Sequence, residues 1–147
     1  IAGLLHDCAK GLSNETLLSI AEKHCAIEID YVYRYQPALL HGAVGAYIAE
    51  RDFLIRDKEI IHSIEYHTTG CVNMSLLDKI IYIADYIEPG RDFQGVDMLR
   101  EQTFQDLNKG VVLALSNTLK HVIESGHLIH ILTVQARNYM LINYFSD

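Results

Sequence analysis

Proline occurs only twice in this 147-residue sequence, at Pro37 and Pro89, so few positions force the chain out of a helix. Cysteine occurs three times, as Cys8, Cys25 and Cys71, and never with C-x-x-C spacing. That pattern supports neither a disulfide framework nor a zinc ribbon, and the three read as core thiols of a reducing compartment. Basic charge is also scarce: twelve Lys and Arg against nineteen Asp and Glu leave a net charge of −7. The cations are scattered, which argues against a nucleic-acid-binding surface. An anionic substrate would then need local cations, either metal ions or a few placed side chains. No apolar run approaches the roughly twenty residues that span a bilayer, and the front of the chain lacks a signal-peptide pattern. A cytoplasmic protein without membrane contact is expected.

Half the residues are hydrophobic and 21% are charged, the balance of a folded chain with one packed core. One domain over 1–147 is expected. The chain opens without Met inside an apolar segment, so its native first helix is expected upstream. Period-3.6 spacing dominates and β-branched runs are short, which makes the fold class all-α, a helical bundle. Ile1 to Cys8 reads as the end of a buried helix, and Ser13 caps a second that runs to His24. Ile27 to Tyr35, with Tyr31, Tyr33 and Tyr35 alternating, reads as loop. Pro37 opens a helix in which Gly42, Ala43, Gly45 and Ala46 allow close approach of a neighbour. Asp57 caps a short helix ended by Gly70, and Ser75 caps one stopped at Pro89-Gly90. Two longer helices, about Asp97 to Ser125 and Ile129 to Ser146, complete the bundle.

Against this apolar background "LLHDCAK" places His6 and Asp7 where a core-facing segment finishes, with Lys10 about one turn on. A His-Asp pair alone is weak evidence. Its company is His41, at the start of a helix, His67, at the end of one in "EYHTTG", and Asp85, mid-helix in "IIYIADYIE". A lone carboxylate among apolar residues is costly to keep ionised, and a buried cation would remove that cost. Adjacent helical residues point about 100° apart, so His6 and Asp7 can lean onto one ion while Asp7 reaches a second. Two or more His with carboxylates suit iron, manganese, cobalt or zinc and suit calcium poorly. Asp78, two turns before Asp85, reads as a residue that supports a ligand or else pairs near Lys79 at the helix start. His62 falls on another helical face from His67 and reads as a surface residue. His121, His127 and His130 flank a Gly turn without carboxylates at ligand spacing and read as no second cluster.

The ordered set resembles the HD-domain superfamily of metal-dependent phosphohydrolases, all-α bundles with the pattern H…HD…H…H…D. Within it, "LLHDCAK", "HGAVGAYIA", "YHTTG" and "DKIIYIADYIEPGRDFQGVDMLR" are similar to the bacterial YqeK-type family. These are the symmetrical bis(5′-nucleosyl)-tetraphosphatases, which cleave diadenosine tetraphosphate into two ADP. The resemblance implies two metal ions, with iron favoured. His6, Asp7 and Asp85 would hold one and His41 and His67 the other, bridged by Asp7. It places a further His upstream of Ile1. Lys10 and Arg91 are the expected phosphate cations, catalytic together with Asp7, and Thr68 and Thr69 offer hydroxyls beside His67. Asp92, Phe93 and Arg100 join the substrate site through the resemblance alone. Expected partners are a dinucleoside polyphosphate or another nucleotide, with a homodimer left open. The alternatives are an HD-domain nucleotide phosphatase of other specificity, a di-iron oxygenase, or a non-catalytic metal- or nucleotide-sensing module.

Overall fold

The computed structural model describes residues 1–145, in two compact units, Ile1–Thr68 and Thr69–Asp147. Every regular element among the described residues is helical.

In the first unit α1 (Ala2–Leu5) ends at His6, and a series of turns leads to α2 (Asn14–His24), capped by the Ser13 hydroxyl, which accepts the Thr16 N–H. The segment expected to be loop contains α3 (Tyr31–Tyr35). Asp30 caps it, its carboxylate accepting the Tyr33 N–H at 3.0 Å. The alternating tyrosines do not make a strand, because the cap satisfies a backbone donor that would otherwise favour extension. Pro37 presets the backbone for a 3₁₀ turn (Pro37–Leu40), and α4 (His41–Arg51) continues from it. Asp57 caps α5 (Lys58–Glu65), accepting from both Glu59 and Ile60 N–H groups. The core gathers Ala9, Leu17, Ala21, Tyr33, Leu40 and Val44. Ala9 belongs to the turn that follows Asp7, so its full burial fixes that turn.

In the second unit α6 (Leu76–Ile87) begins with a capping box: Ser75 accepts the Asp78 N–H, and the Asp78 carboxylate accepts the Ser75 N–H at 2.8 Å. Asp78, expected to support a ligand, thus works as a cap. Beyond it come α7 (Val96–Gln105), α8 (Leu107–Glu124) and α9 (Ile131–Tyr144). The single helix expected from Asp97 to Ser125 is therefore two. The break falls at Asp106, whose backbone is extended (φ −150°, ψ 107°) and whose side chain caps the Lys109 N–H. Gly110 lets α8 fold back onto α7, since a Cβ there would stand 2.8 Å from Thr103 Cα. The predicted end of the last helix, at Ser146, lies outside the described residues. Val111, Ala114, Leu115, Ala136 and Met140 are almost fully buried. A buried Lys79 donates to the Tyr144 hydroxyl at 3.0 Å and sits over its ring.

Candidate metal centre

Three histidines in the first unit share one local device. His6 Nδ1 donates to the Gly3 carbonyl at 2.9 Å, His41 Nδ1 to Ala38 at 2.6 Å and His67 Nδ1 to Ile64 at 2.7 Å. Each bond runs to the residue three back, at the end of α1, the 3₁₀ turn and the end of α5. A carbonyl only accepts, so Nδ1 carries the proton and Nε2 of each neutral ring keeps a lone pair.

All three lone pairs face one carboxylate. His6 Nε2 lies 3.5 Å from Asp7 Oδ2, while His41 and His67 Nε2 lie 3.3 and 3.5 Å from Oδ1. The two oxygens are thus divided between His6 on one side and His41 and His67 on the other. His41 and His67 Nε2 stand only 3.1 Å apart. Asp7 Oδ1 is buried without a hydrogen-bond partner, although two ring nitrogens are near it. Lone pairs do not donate, which reconciles these distances with an unsatisfied oxygen. His6, Asp7 and His67 bring one ligand atom each within 4.8 Å of one another.

The electrostatics run the same way. Burial pushes the Asp7 carboxyl up, but the hydrogen bond and positive charge of Lys10 beside it help hold the group below its ordinary range. Burial pushes the His67 imidazole down, and His41 and His6 add to this against the opposing pulls of the Ile64 carbonyl and Asp7. An ionised carboxylate beside a neutral imidazole is the donor set of a transition-metal cation, and the convergence of acceptors on a buried oxygen fits one.

Backbone packing makes this possible. A Cβ on Gly42 would stand 2.6 Å from the Glu65 carbonyl, so only glycine lets α4, carrying His41, lie this close to α5 and His67. At Gly45 a Cβ would be 3.4 Å from the His6 carbonyl. The small-residue face expected on α4 has this use.

Lys10 Nζ donates to Asp7 Oδ2 at 2.6 Å, and Thr68 Oγ1 lies beside Gly42. In the second unit Thr69 is 3% exposed and its hydroxyl donates to the Gly70 carbonyl, so that proton is spent internally. Asp85 Oδ1 accepts from Arg91 at 2.9 Å, and Arg91 Nε donates to the Asp85 carbonyl. Asp92 is exposed, and Phe93 sets its ring edge-on to Tyr86 at 5.4 Å. Arg100 donates to the carbonyls of Ile87, Glu88 and Arg91 and to the Asp97 carboxylate. Its guanidinium clamps the segment that carries Arg91, a role with no signature in the sequence because its acceptors are backbone groups.

The chain belongs to the HD domain family, whose model matches residues 1–90. Among its relatives is the symmetrical bis(5′-nucleosyl)-tetraphosphatase of Halalkalibacterium halodurans, 38% identical over 143 residues, covering 97% of this chain and 75% of that protein. The Bacillus subtilis protein of the same name is 39% identical over 128 residues, 86% of this chain and 67% of the relative. The crystal structure of a Clostridium acetobutylicum HD superfamily hydrolase, described as involved in NAD metabolism, matches with a TM-score of 0.92 and 47% identity, over 96% of this chain and 74% of that one.

Proposed function

We propose that the chain is a metal-dependent phosphohydrolase that cleaves diadenosine tetraphosphate symmetrically, giving two ADP, at a dinuclear and iron-favouring centre. The observation that carries this reading is the convergence of His6, His41 and His67 Nε2 on the two oxygens of Asp7. The names of the relatives, 38% and 39% identical to this chain over the aligned residues, support the substrate.

His41 and His67 would hold one ion together with Asp7, and His6 and Asp7, joined by Asp85 as the resemblance implies, would hold the other. Bound there, such cations lower the pKa of a coordinated water toward neutrality and neutralise phosphoryl oxygens. The chain's own residues do the rest. The backbone carbonyls fix each imidazole so that no ring turns during the reaction, and Asp7 stays ionised. Lys10, on a flexible stem one turn beyond Asp7, can move its ammonium from Oδ2 to a phosphate oxygen. Arg91 keeps one terminal nitrogen outside its contacts with Asp85 and offers a second positive group. The charge of the polyphosphate is in this way met by local cations on a chain of net charge −7.

The test is product analysis. Protein loaded with iron or manganese is incubated with diadenosine tetraphosphate and the nucleotides are resolved. ADP as sole product, with turnover falling at least about 100-fold in Asp7→Ala, supports the proposal. AMP together with ATP, or unchanged turnover in Asp7→Ala, overturns it.

A further inference from the structure

The first unit contains a hollow that the metal centre does not use. Its volume is about 370 Å³, and its walls are the end of α2 with the three residues that follow, one face of α4 and one face of α5. Small-molecule sites span about 300–1,000 Å³. The charged groups of the wall are Glu50, Lys58 and Glu65, and the first two answer each other: Lys58 Nζ donates to the Glu50 carboxylate at 3.0 Å, an alkylammonium of the chain itself. Glu65 has no such counterpart. It is half-buried on α5 and makes no hydrogen bond or ion pair among the described residues. Its charge nevertheless reaches inward: after burial it is the cause that raises the Cys25 thiol, and it adds to burial and Asp30 in raising the Tyr33 phenol. The polar groups around the hollow are turned elsewhere. Cys25 donates to the Ala43 carbonyl, the Arg51 guanidinium grips Asp52, and the rings of His24 and His62 lie against Tyr47 and Tyr66. A carboxylate withdrawn in part from water without a partner carries a desolvation cost that a bound cation removes.

We propose that this hollow binds a small primary amine as its ammonium ion, with the charge on Glu65 and the alkyl chain along Ile27, Ala43, Ala46 and Ile61. An ammonium brings three donors and no acceptor, which suits a carboxylate that lacks partners, and bonds of this kind are the stronger, charge-assisted sort. The four apolar side chains line the same hollow and offer the methylenes a surface away from water. An anion is disfavoured, because two carboxylates face one lysine that is already paired. A transition ion is disfavoured too: among the described residues no three ligand atoms of this wall converge as those of His6, Asp7 and His67 do. The inference goes beyond the hydrolase reading and does not depend on it.

The experiment is titration of n-butylammonium chloride into zinc-loaded protein at pH 8, where an alkylamine is charged and an ordinary imidazole is not, followed by backbone amide shifts in NMR. Saturable shifts at Cys25, Ala26 and Ile27 are expected. Potassium chloride, the charge without the chain, and 1-butanol, the chain without the charge, bind at least about tenfold more weakly. Glu65→Gln, which keeps the shape and removes the charge, weakens n-butylammonium by about tenfold. Glu59→Gln, at an exposed position of the same helix outside the hollow, leaves the affinity unchanged. Equal affinity in the parent and Glu65→Gln overturns the proposal, as do shifts confined to the metal centre, no saturation, or 1-butanol binding as tightly as the amine. None of these readings uses turnover, so a failed amine site leaves the hydrolase reading standing, and a failed hydrolase reading leaves the amine site standing.

Discussion

His41 and His67 point their Nε2 atoms at each other across 3.1 Å, each ring with its opposite nitrogen tied to a carbonyl. Two neutral rings in this arrangement repel, and the burial that pushes His67 away from its charged form blocks the simplest relief. A shared cation provides it. Adding manganese or ferrous iron to chelator-treated protein is therefore expected to raise the unfolding temperature. At a hundredfold excess over Kd the stabilisation is about 2.7 kcal/mol. His67→Asn should lose at least half of that rise and lower the count of bound ions, measured by calorimetry and elemental analysis. An identical rise in the variant would remove His67 from the ligand set.

Gly42 tests the packing behind the site. In Gly42→Ala the new methyl meets the Glu65 backbone oxygen, which cannot swing aside. The expected cost is about 1–3 kcal/mol, a fall of several degrees in melting temperature, together with weaker metal binding as α4 shifts from α5. Gly11→Ala, where a Cβ meets nothing within 4 Å, should be neutral by comparison. Equal melting temperatures would show that the α4–α5 approach has slack.

The sequence announced the helix starts wherever a short polar side chain preceded an apolar stripe. Ser13, Asp57 and Ser75 all accept the backbone N–H groups expected of them. It was silent where the signal was of the wrong kind. The break at Asp106 has neither Pro nor Gly at its centre, and only the Asp106 cap, masked by the helical periodicity on both sides, marks it. Asp30 before α3 was hidden by the period-two tyrosines, and the Ser75–Asp78 pair was a capping box read as ligand support. The candidate site was more legible, because His6, His41 and His67 each lie at a helix or turn end where a ring can leave the core. The grip of Arg100 on three carbonyls could not be foreseen, since backbone acceptors leave no trace in residue type.

That grip yields a kinetic prediction. Arg100→Lys replaces a planar fork by a point charge that cannot reach three carbonyls and a carboxylate together. With its segment loosened, Arg91 should meet phosphate less well. KM for diadenosine tetraphosphate is expected to rise by about tenfold while kcat stays within about twofold. An unchanged KM would make the clamp irrelevant to binding.

Cys25 offers a chemical check on burial. Desolvation, helped by the Glu65 carboxylate, pushes its thiol up to about 11. Because the thiolate is the reactive form, iodoacetamide at pH 8 should modify Cys25 about 100-fold more slowly than an ordinary thiol. The rate should climb until the pH passes 11. Labelling as fast as in unfolded protein, followed by mass spectrometry, would refute the half-buried placement.

Tyr33 sets an alkaline limit. Burial, with the charges of Asp30 and Glu65, raises its phenol to about 12, against about 10 in an unfolded chain. Between those values the unfolded state has released a proton that the folded state retains, so stability falls as pH rises from 10 to 12 and is unaffected below. Tyr33→Phe should flatten that part of the urea-midpoint profile. A parallel decline in both proteins would assign the loss to other groups.

The three short bonds from imidazole to carbonyl have one more implication. Each is made inside its own few residues, so the aim of every ring is set by its own helix or turn end. Assembly then has only to bring pre-aimed groups together. Exchanging one transition ion for another should alter bond lengths and leave ring directions alone.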